Sequence, residues 1–300
     1  MASSLRVLVT GARGFLGRAV TQELRRRFPD AEIVPVSRRA PAADDHPGPA
    51  LDLSEAEAWR EIGGPYGWVF HLAAEIPSAG SAQEQKIYRG NVLPCLHLLD
   101  ACRQWMPSRV VYASSISVYP MGAAPVLRES LVPRPDTLYG AAKLAGEHLL
   151  GLAGSAATGV LSLRLSSLYG PGQRPGTALP LFIAKAAAKE PIQLFAGGAR
   201  TQDFLHVSDA ARGIVDAAAS QATGVYNLGS GVGTSMRDLA RTITDLPDWK
   251  VDIIDRGGVE TSPSVKVDIS RAQQVWGYAP SVTLAEGIGA YHASLLARSP

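Results

Sequence analysis

The stretch TGARGFLG, from Thr10 to Gly17, constrains the chain more than any other, because it joins an apolar segment to a helical one through glycines three apart. Leu5, Val7, Leu8 and Val9 read as a buried strand, and Val20, Leu24 and Phe28 give the next segment one apolar helical face. Gly11, Gly14 and Gly17 fall where the two periods meet, so the chain must turn tightly there. In a turn that carries a pyrophosphate each glycine has its own task. Gly11 closes the turn, Gly14 lets backbone N–H groups approach the phosphates, and Gly17 lets the helix pack on the strand. The helix N-terminus adds partial positive charge. Such a turn also joins strands to helices without a ligand; the flanking elements favour the dinucleotide.

The end of the second strand, Ile33 to Val36, bears on which dinucleotide this is. An NAD site is expected to hold an acid about 20 residues past the glycines, for the ribose 2′-OH. Here Ser37 is followed by Arg38 and Arg39. A carboxylate repels a 2′-phosphate and a guanidinium pairs with it in a fork, so the loop predicts NADP(H) over NAD(H). Arg13, inside the glycine turn, is a second candidate cation, and solvated surface charge is the competing role for all three arginines. Residues 40 to 50, with Pro41, Pro47, Gly48 and Pro49, read as a surface loop. Asp52 is placed either to reach an adenine amino group or to cap the helix that begins at Ser54. Trp68 to Ala74 read as a third strand ending in small side chains, which leave room for a flat cofactor. His71 has no metal-ligand spacing to another histidine and reads as a core residue; no metal is expected.

A long helix is predicted from about Gln83 to Trp105, then a fourth strand from Val110 to Ser114 that opens into SSISVYP. In YGAAK, Tyr139 and Lys143 stand one turn apart on one face of a helix start. A Lys⁺ about 4 Å from a phenolate gains about 4 kcal/mol at an effective dielectric near 20, enough to bring a phenol close to neutral pH. A phenol so tuned moves protons for a carbonyl/alcohol pair.

With TGxxGxxG at the N-terminus, a serine after the fourth strand and YxxxK on the next helix, the chain resembles the short-chain dehydrogenase/reductase superfamily. It is most similar in pattern to the extended branch, the NAD(P)-dependent epimerase/dehydratase or nucleotide-sugar group. HLAA (71–74), Asn91, RLSSLYGPG (164–172), QDFLHVSD (202–209), YNLGSG (226–231) and VDISRAQQVWGYAP (267–280) extend the resemblance from about residue 5 to 290. It implies that Ser115 hydrogen-bonds the reacting oxygen, Tyr139 is the acid/base, and Lys143 binds the nicotinamide ribose and lowers the Tyr139 pKa. Ser114 and Ser115 point to opposite faces of a strand, so only one reaches the site. The implied cofactor contacts are Gly11, Arg13, Gly14, Phe15, Leu16 and Gly17 in the turn, then Ser37, Arg38, Arg39, Asp52, Leu53, Leu72, Ala73, Ala74, Asn91, Tyr139 and Lys143. On the substrate side they are Ser115, Ser167, Arg200 and Arg256. Two departures stand out. Ser167 replaces the Asn usual two residues before the Tyr of YGP, and Gln202 replaces the Arg of RDF that grips the substrate diphosphate. Arg200, two positions earlier, is a candidate to compensate but is expected to point along a different line.

At 300 residues with 46% hydrophobic content, the chain is long enough for a nucleotide-binding domain and a smaller companion. The expected fold is α/β, a doubly wound parallel (Rossmann) sheet over 1–170 with 201–230 returning to it, and a C-terminal substrate lobe from 171–200 and 231–300. A net charge of +2 without basic runs argues against nucleic acid, and the N-terminus lacks a signal peptide's pattern, so a cytoplasmic protein is expected, with no membrane partner. Cys95 and Cys102, seven apart on one helix, are roughly 10 Å apart and read as packing thiols. The resemblance suggests a homodimer. Reduction of the 4-keto group of a nucleotide-linked deoxysugar by NADPH is the leading expectation. The alternatives are an NAD-dependent nucleotide-sugar 4-epimerase, a reductase of a non-nucleotide carbonyl/alcohol substrate, and an NADP-sensing binding protein. A dehydratase is disfavoured, because Ile116 and Ser117 stand where those members carry an acidic pair.

Overall fold

Val7 and Val9 alternate with Leu8 along β1 (Arg6–Thr10), and all three are buried, so the strand is apolar on both faces. A sheet of such strands has to be covered on both sides. The computed structural model, which describes residues 4–41, 47–77, 84–122, 124–260 and 262–297, has that arrangement. Strands β1, β2 (Glu32–Val36), β3 (Trp68–His71), β4 (Arg109–Ser115), β5 (Gly159–Leu165) and β10 (Gly224–Leu228), numbered along the chain, form one sheet in the order β2-β1-β3-β4-β5-β10. Every pairing in it is parallel. Helices α1 (Phe15–Arg27) and α7 (Val207–Ala219) cover one face, where Val7, Val9, Val20, Leu24, Phe70 and Ile214 share a cluster. On the other face α2 (Ala56–Ile62), α4 (Leu93–Trp105) and α5 (Leu138–Gly151) bury Trp59, Leu98 and Leu150 against Leu8 and Val69. Each such side chain contributes about 1.5–3 kcal/mol. The free thiols of Cys95 and Cys102 are buried in the α4 packing.

Strand order reverses between β2-β1 and β3-β4-β5, and in a doubly wound sheet the ligand crevice lies outside the carboxyl ends of the strands at that reversal. The glycine turn leaves β1 at this point.

The helix expected over 83–105 is two helices, α3 (Glu84–Asn91) and α4, divided at Val92. Pro94 is the cause: it has no N–H to return to Gly90, and its ring disfavours a continuous helix one turn earlier. Gln83 lies outside the described residues. The third strand stops at His71, three residues short of expectation, and the fourth extends to Ser115.

Residues beyond β5 add two- and three-residue strand pairs: β6 (Ser167–Tyr169) with β9 (Phe204–His206), β7 (Ile192–Leu194) with β12 (Ile253–Asp255), and β8 (Thr201–Gln202) antiparallel to β11 (Thr234–Ser235). Helices α6 (Ala178–Ala187), α8 (Met236–Thr244) and α10 (Leu284–Leu296) close over a separate cluster that includes Phe182, Leu239, Ile243, Trp249 and Ile288. The remaining helix, α9 (Ser270–Trp276), sets Trp276 edge-on against Tyr226 of β10.

Candidate active site

Gly11 takes φ +69°, and a Cβ there would lie 2.7 Å from the Ala73 nitrogen, so the glycine turn is pressed against the chain leaving β3. A Cβ on Gly17 would lie 2.1 Å from the Gly11 carbonyl oxygen, which is how closely α1 approaches the turn. Gly14 is different. Its Cβ position meets only the Gly11 carbonyl, at 3.0 Å, so its other side is open. Gly14 is also the N-cap of α1, a helix with no side-chain cap and no acid in its first turn. The first N–H groups of a helix lack intrahelical partners, and here they belong to the turn's own Phe15, Leu16 and Gly17. An uncapped helix start beside an open glycine fits the pyrophosphate of a dinucleotide.

The far end of the cofactor site departs from expectation. The Arg13 guanidinium, read as a second cation for a 2′-phosphate, belongs to a residue only 9% exposed; it donates to the carbonyls of Arg39 (2.9 Å), Pro49 (3.3 Å) and Gly48 (2.8 Å). It therefore ties the backbone at Arg39 and at Gly48 and Pro49 to the glycine turn. Arg38 is paired with Glu75 at 2.6 Å, and Lys86 approaches the same carboxylate at 2.9 Å. Burial alone would push the Glu75 carboxyl up, but hydrogen bonds from Lys86 and Arg38 outweigh it and hold the group below its ordinary value. Ser37 is buried and accepts the Arg13 backbone N–H at 2.9 Å. Of the three residues after β2, Arg39 is exposed and gives its carbonyl to Arg13.

Asp52 accepts from the Ser54 N–H at 3.0 Å in a local turn, but it does not cap the next helix, which starts at Ala56 with Glu55 as N-cap and no side-chain cap bond; Leu53 is buried with its carbonyl on the Trp59 indole. Leu72, Ala73 and Ala74 follow β3 beside Gly11, with the Leu72 N–H on the Thr10 carbonyl and the Ala73 N–H on Thr10 Oγ1. Asn91 is buried and donates to the carbonyls of Glu75 and Ile87, both at 2.9 Å, so it fixes the chain after Ala74. His71 is the core residue expected: its Nδ1 lies 2.8 Å from Thr10 Oγ1, and burial, with the Lys143 charge behind it, lowers its pKa to about 3.

Ser115 ends β4 and caps the short 3-10 turn Ile116–Val118, accepting the Ser117 N–H and donating to Ser117 Oγ, each at 3.1 Å. Ser114 faces the other way and donates to Glu147 of α5 at 2.5 Å. Thr137 caps α5, and a Cβ on Gly140 would lie 2.1 Å from the Ser117 carbonyl oxygen. The first turn of α5, which carries Tyr139, is thus seated on the turn that begins at Ser115. Lys143, one turn deeper and 2% exposed, donates from Nζ to the Ala113 carbonyl at 2.8 Å and lies 5.8 Å from the centre of the Tyr139 ring. The expected lowering of the phenol by this ammonium is absent. Burial pushes Tyr139 up to about 12, and burial lowers Lys143 to about 8 although Cys95 and Glu147 pull it upward.

On the substrate side, Ser167 accepts a hydrogen bond from the Gln202 carboxamide nitrogen, and Gln202 Oε1 accepts from Arg200 at 3.2 Å. Arg200 therefore does not point along a different line, because residues two apart share a face of an extended segment. Arg256 is exposed just past β12, and no contact joins it to Ser167, Gln202 or Arg200 among the described residues. Sequence reasoning missed Glu75, Gln202 as a bridging group, and the buried Glu147–Arg164 pair. A charged Arg164 inside the apolar strand VLSLRL was the one available signal for that pair.

A glycine turn at the reversal of a parallel sheet, with Ser115, Tyr139 and Lys143 at the carboxyl end of β4 beside it, defines a short-chain dehydrogenase/reductase type of enzyme. The NAD dependent epimerase/dehydratase family matches residues 7–229, and the chain belongs to that family. It is 31% identical over 305 residues to a dTDP-glucose 4,6-dehydratase of Streptomyces griseus, covering 95% of this chain and 92% of that protein. It is 29% identical over 328 residues to UDP-glucuronate 4-epimerase 2 of Arabidopsis thaliana, covering 94% of this chain and 74% of that protein. Among solved structures it resembles UDP-glucose 4-epimerase of Thermus thermophilus in complex with NAD, with TM-score 0.84 and 25% identity over 98% of this chain and 100% of that one. It is also similar to MoeE5 in complex with UDP-glucose and NAD, with TM-score 0.84 and 32% identity over 97% and 99% of the two chains. No helix among the described residues is long and apolar enough to cross a membrane.

Proposed function

We propose that this enzyme is an NAD-dependent 4-epimerase of a nucleotide-linked sugar. One observation carries the choice over the NADPH ketoreductase: two of the three cations expected for a 2′-phosphate are engaged, Arg13 on backbone carbonyls and Arg38 on Glu75. With those two held, the site favours the unphosphorylated dinucleotide, and an epimerase returns its cofactor in the oxidation state in which it began. Relatives named as 4-epimerases and structures holding NAD support the same reading. The dehydratase reading lacks its acids, since Ile116 and Ser117 follow Ser115 in the 3-10 turn.

NAD, when bound, supplies a reversible hydride acceptor. The residues of this chain do the rest. Ser115, half-buried at the end of β4, exchanges its bond to Ser117 for one to the sugar oxygen and orients it. Tyr139 takes the C4 hydroxyl proton as the carbonyl forms and, once the keto sugar has turned its other face to the cofactor side, gives the proton back to the same oxygen. Its phenol, high on its own, needs a lower pKa for the first step, so the Lys143 ammonium, which would also hold the nicotinamide ribose, would have to turn from the Ala113 carbonyl toward the phenol. The glycine turn and the start of α1 hold the pyrophosphate.

Purification tests this reading. The expected outcome is protein carrying about one NAD⁺ per chain that interconverts two C4 epimers without added cofactor. Protein that arrives empty and consumes NADPH stoichiometrically with a keto sugar would overturn it.

A further inference from the structure

Leu165 is the register partner of Ser115 across β4 and β5, so the chain that leaves β5 starts beside the catalytic serine. Ser167 stands two residues on, at the start of β6, where it pairs with Phe204 of β9. From Ser167 a line of side chains runs outward: the Gln202 carboxamide nitrogen donates to Ser167 Oγ, and Gln202 Oε1 accepts from Arg200 Nη2. What fixes this line is the residue between. Asp203 is fully buried, with one carboxylate oxygen accepting from Ser230 N–H (2.7 Å) and Ser230 O–H (3.0 Å) and the other from Gly231 N–H (3.0 Å) and Val267 N–H (3.4 Å). Because neighbours on an extended segment alternate faces, an Asp203 pinned inward turns Gln202 outward, on the side away from that clasp.

Arg200 is half-buried, and its Nη2 also lies 3.6 Å from Met236 Sδ. Among the described residues no carboxylate pairs with it, whereas Arg164, Arg212, Arg128 and Arg237 each have an acid. A guanidinium offers five N–H donors, and the bond to Gln202 uses one nitrogen. A partly desolvated cation without a counter-charge, at the end of a line of polar groups that begins beside Ser115, is incomplete without an anion.

We propose that Arg200, steered by Gln202, is the cation that reads the diphosphate of the substrate in this chain, and that Ser167, Gln202 and Arg200 act as one specificity unit. The charge thereby moves two residues back along the same face from the position that Gln202 occupies. This rests on the nucleotide-sugar reading for its substrate class, although the phosphate contact itself is independent of which sugar chemistry follows. Arg200 binds the anion in a fork, and Gln202 and Ser167 supply neutral donors on the side nearer the reacting sugar.

The test uses the cofactor-loaded enzyme and titrates UDP, dTDP and GDP against their nucleosides by calorimetry, in the wild type, Arg200→Ala, and Arg200→Ala with Gln202→Arg. One of the diphosphates is expected to bind the wild type at least about tenfold more tightly than its nucleoside, since a charge-assisted hydrogen bond to phosphate is of that order. Arg200→Ala should remove most of that preference and leave nucleoside affinity unchanged, and the double variant should recover it, which shows that the loss is not misfolding. An Arg200→Ala protein that keeps the full preference overturns the proposal, as does a wild type that binds no diphosphate better than its nucleoside. If the preference is lost as expected but no nucleotide sugar is epimerised, the phosphate contact stands and the epimerase reading falls.

Discussion

Lys143 is the residue at which the site's chemistry opposes its stability. Its ammonium is almost fully buried, with the Ala113 carbonyl as its hydrogen-bond acceptor and the Tyr112 ring 4.9 Å below Nζ. Burial brings its pKa from 10.5 to about 8. Below pH 8 both folded and unfolded chains are protonated, and the folded state bears the full penalty of a buried charge. Between about 8 and 10.5 the unfolded chain holds more protons, so stability rises with pH through that window. The gain corresponds to about 3 kcal/mol. Against Lys143→Met, which has nothing to titrate there, the wild type should therefore gain about this much between about pH 7.5 and 10.5 in urea unfolding. Parallel pH curves for the two proteins would show that Lys143 titrates normally. Sequence spacing alone put Lys143 and Tyr139 on one helix face, and that is where they are. It did not show that the ammonium lies a turn deeper and on a strand carbonyl, because the acceptor belongs to β4, which only the tertiary fold brings to α5.

At the scale of elements, the turn between β1 and α1 was the most legible part of the chain, since a period of two gives way to a period of 3.6 across three glycines. The same was true of the parallel strands and of the Ser115, Tyr139 and Lys143 positions. The split of α3 from α4 needed only Pro94, whose missing N–H is a local fact. The engaged arginines were not legible, because Arg13 meets carbonyls at 48 and 49 and Arg38 meets Glu75, all distant in sequence. Strands of two or three residues, such as β8 and β11, carry no periodicity to read. The glycines of the turn now separate into packing and binding positions. Gly17→Ala pushes a methyl to 2.1 Å from the Gly11 carbonyl and 2.8 Å from Ala12 Cα, both backbone, so α1 must move; unfolding should show a loss of about 1–3 kcal/mol. Gly14→Ala sets its methyl 3.0 Å from the Gly11 carbonyl oxygen and against nothing else within 4 Å, a milder strain than at Gly17 that should cost about 1 kcal/mol, yet the purified protein should carry little dinucleotide. Equal losses of stability in the two variants would contradict this division of labour.

Across the whole molecule, the proposed mechanism depends on α5 keeping its angle to the sheet, because that helix carries both Tyr139 and Lys143 while Ser115 comes from β4. The bolt is a buried pair. Glu147 accepts from Arg164 Nε at 2.9 Å and Nη2 at 2.7 Å, and it also accepts from Ser114, so one carboxylate ties α5 to β4 and β5 together. Their side chains are 5% and 4% exposed. A pair so deep has little net stabilising energy, since desolvation of both charges offsets their attraction, but removal of one partner leaves the other charge stranded. Glu147→Gln should accordingly destabilise the protein by about 3–5 kcal/mol, and Glu147→Leu with Arg164→Met should recover most of that loss. Catalysis then separates anchoring from packing. If the pair serves only to hold the fold, the recovered double variant turns over like the wild type. If its directional bonds set the tilt of α5, the double variant regains its unfolding midpoint while kcat stays low and KM changes little, since Ser167, Gln202 and Arg200 lie outside that helix. The second outcome is expected, because apolar side chains restore volume without the two-point geometry that orients the helix on the strands.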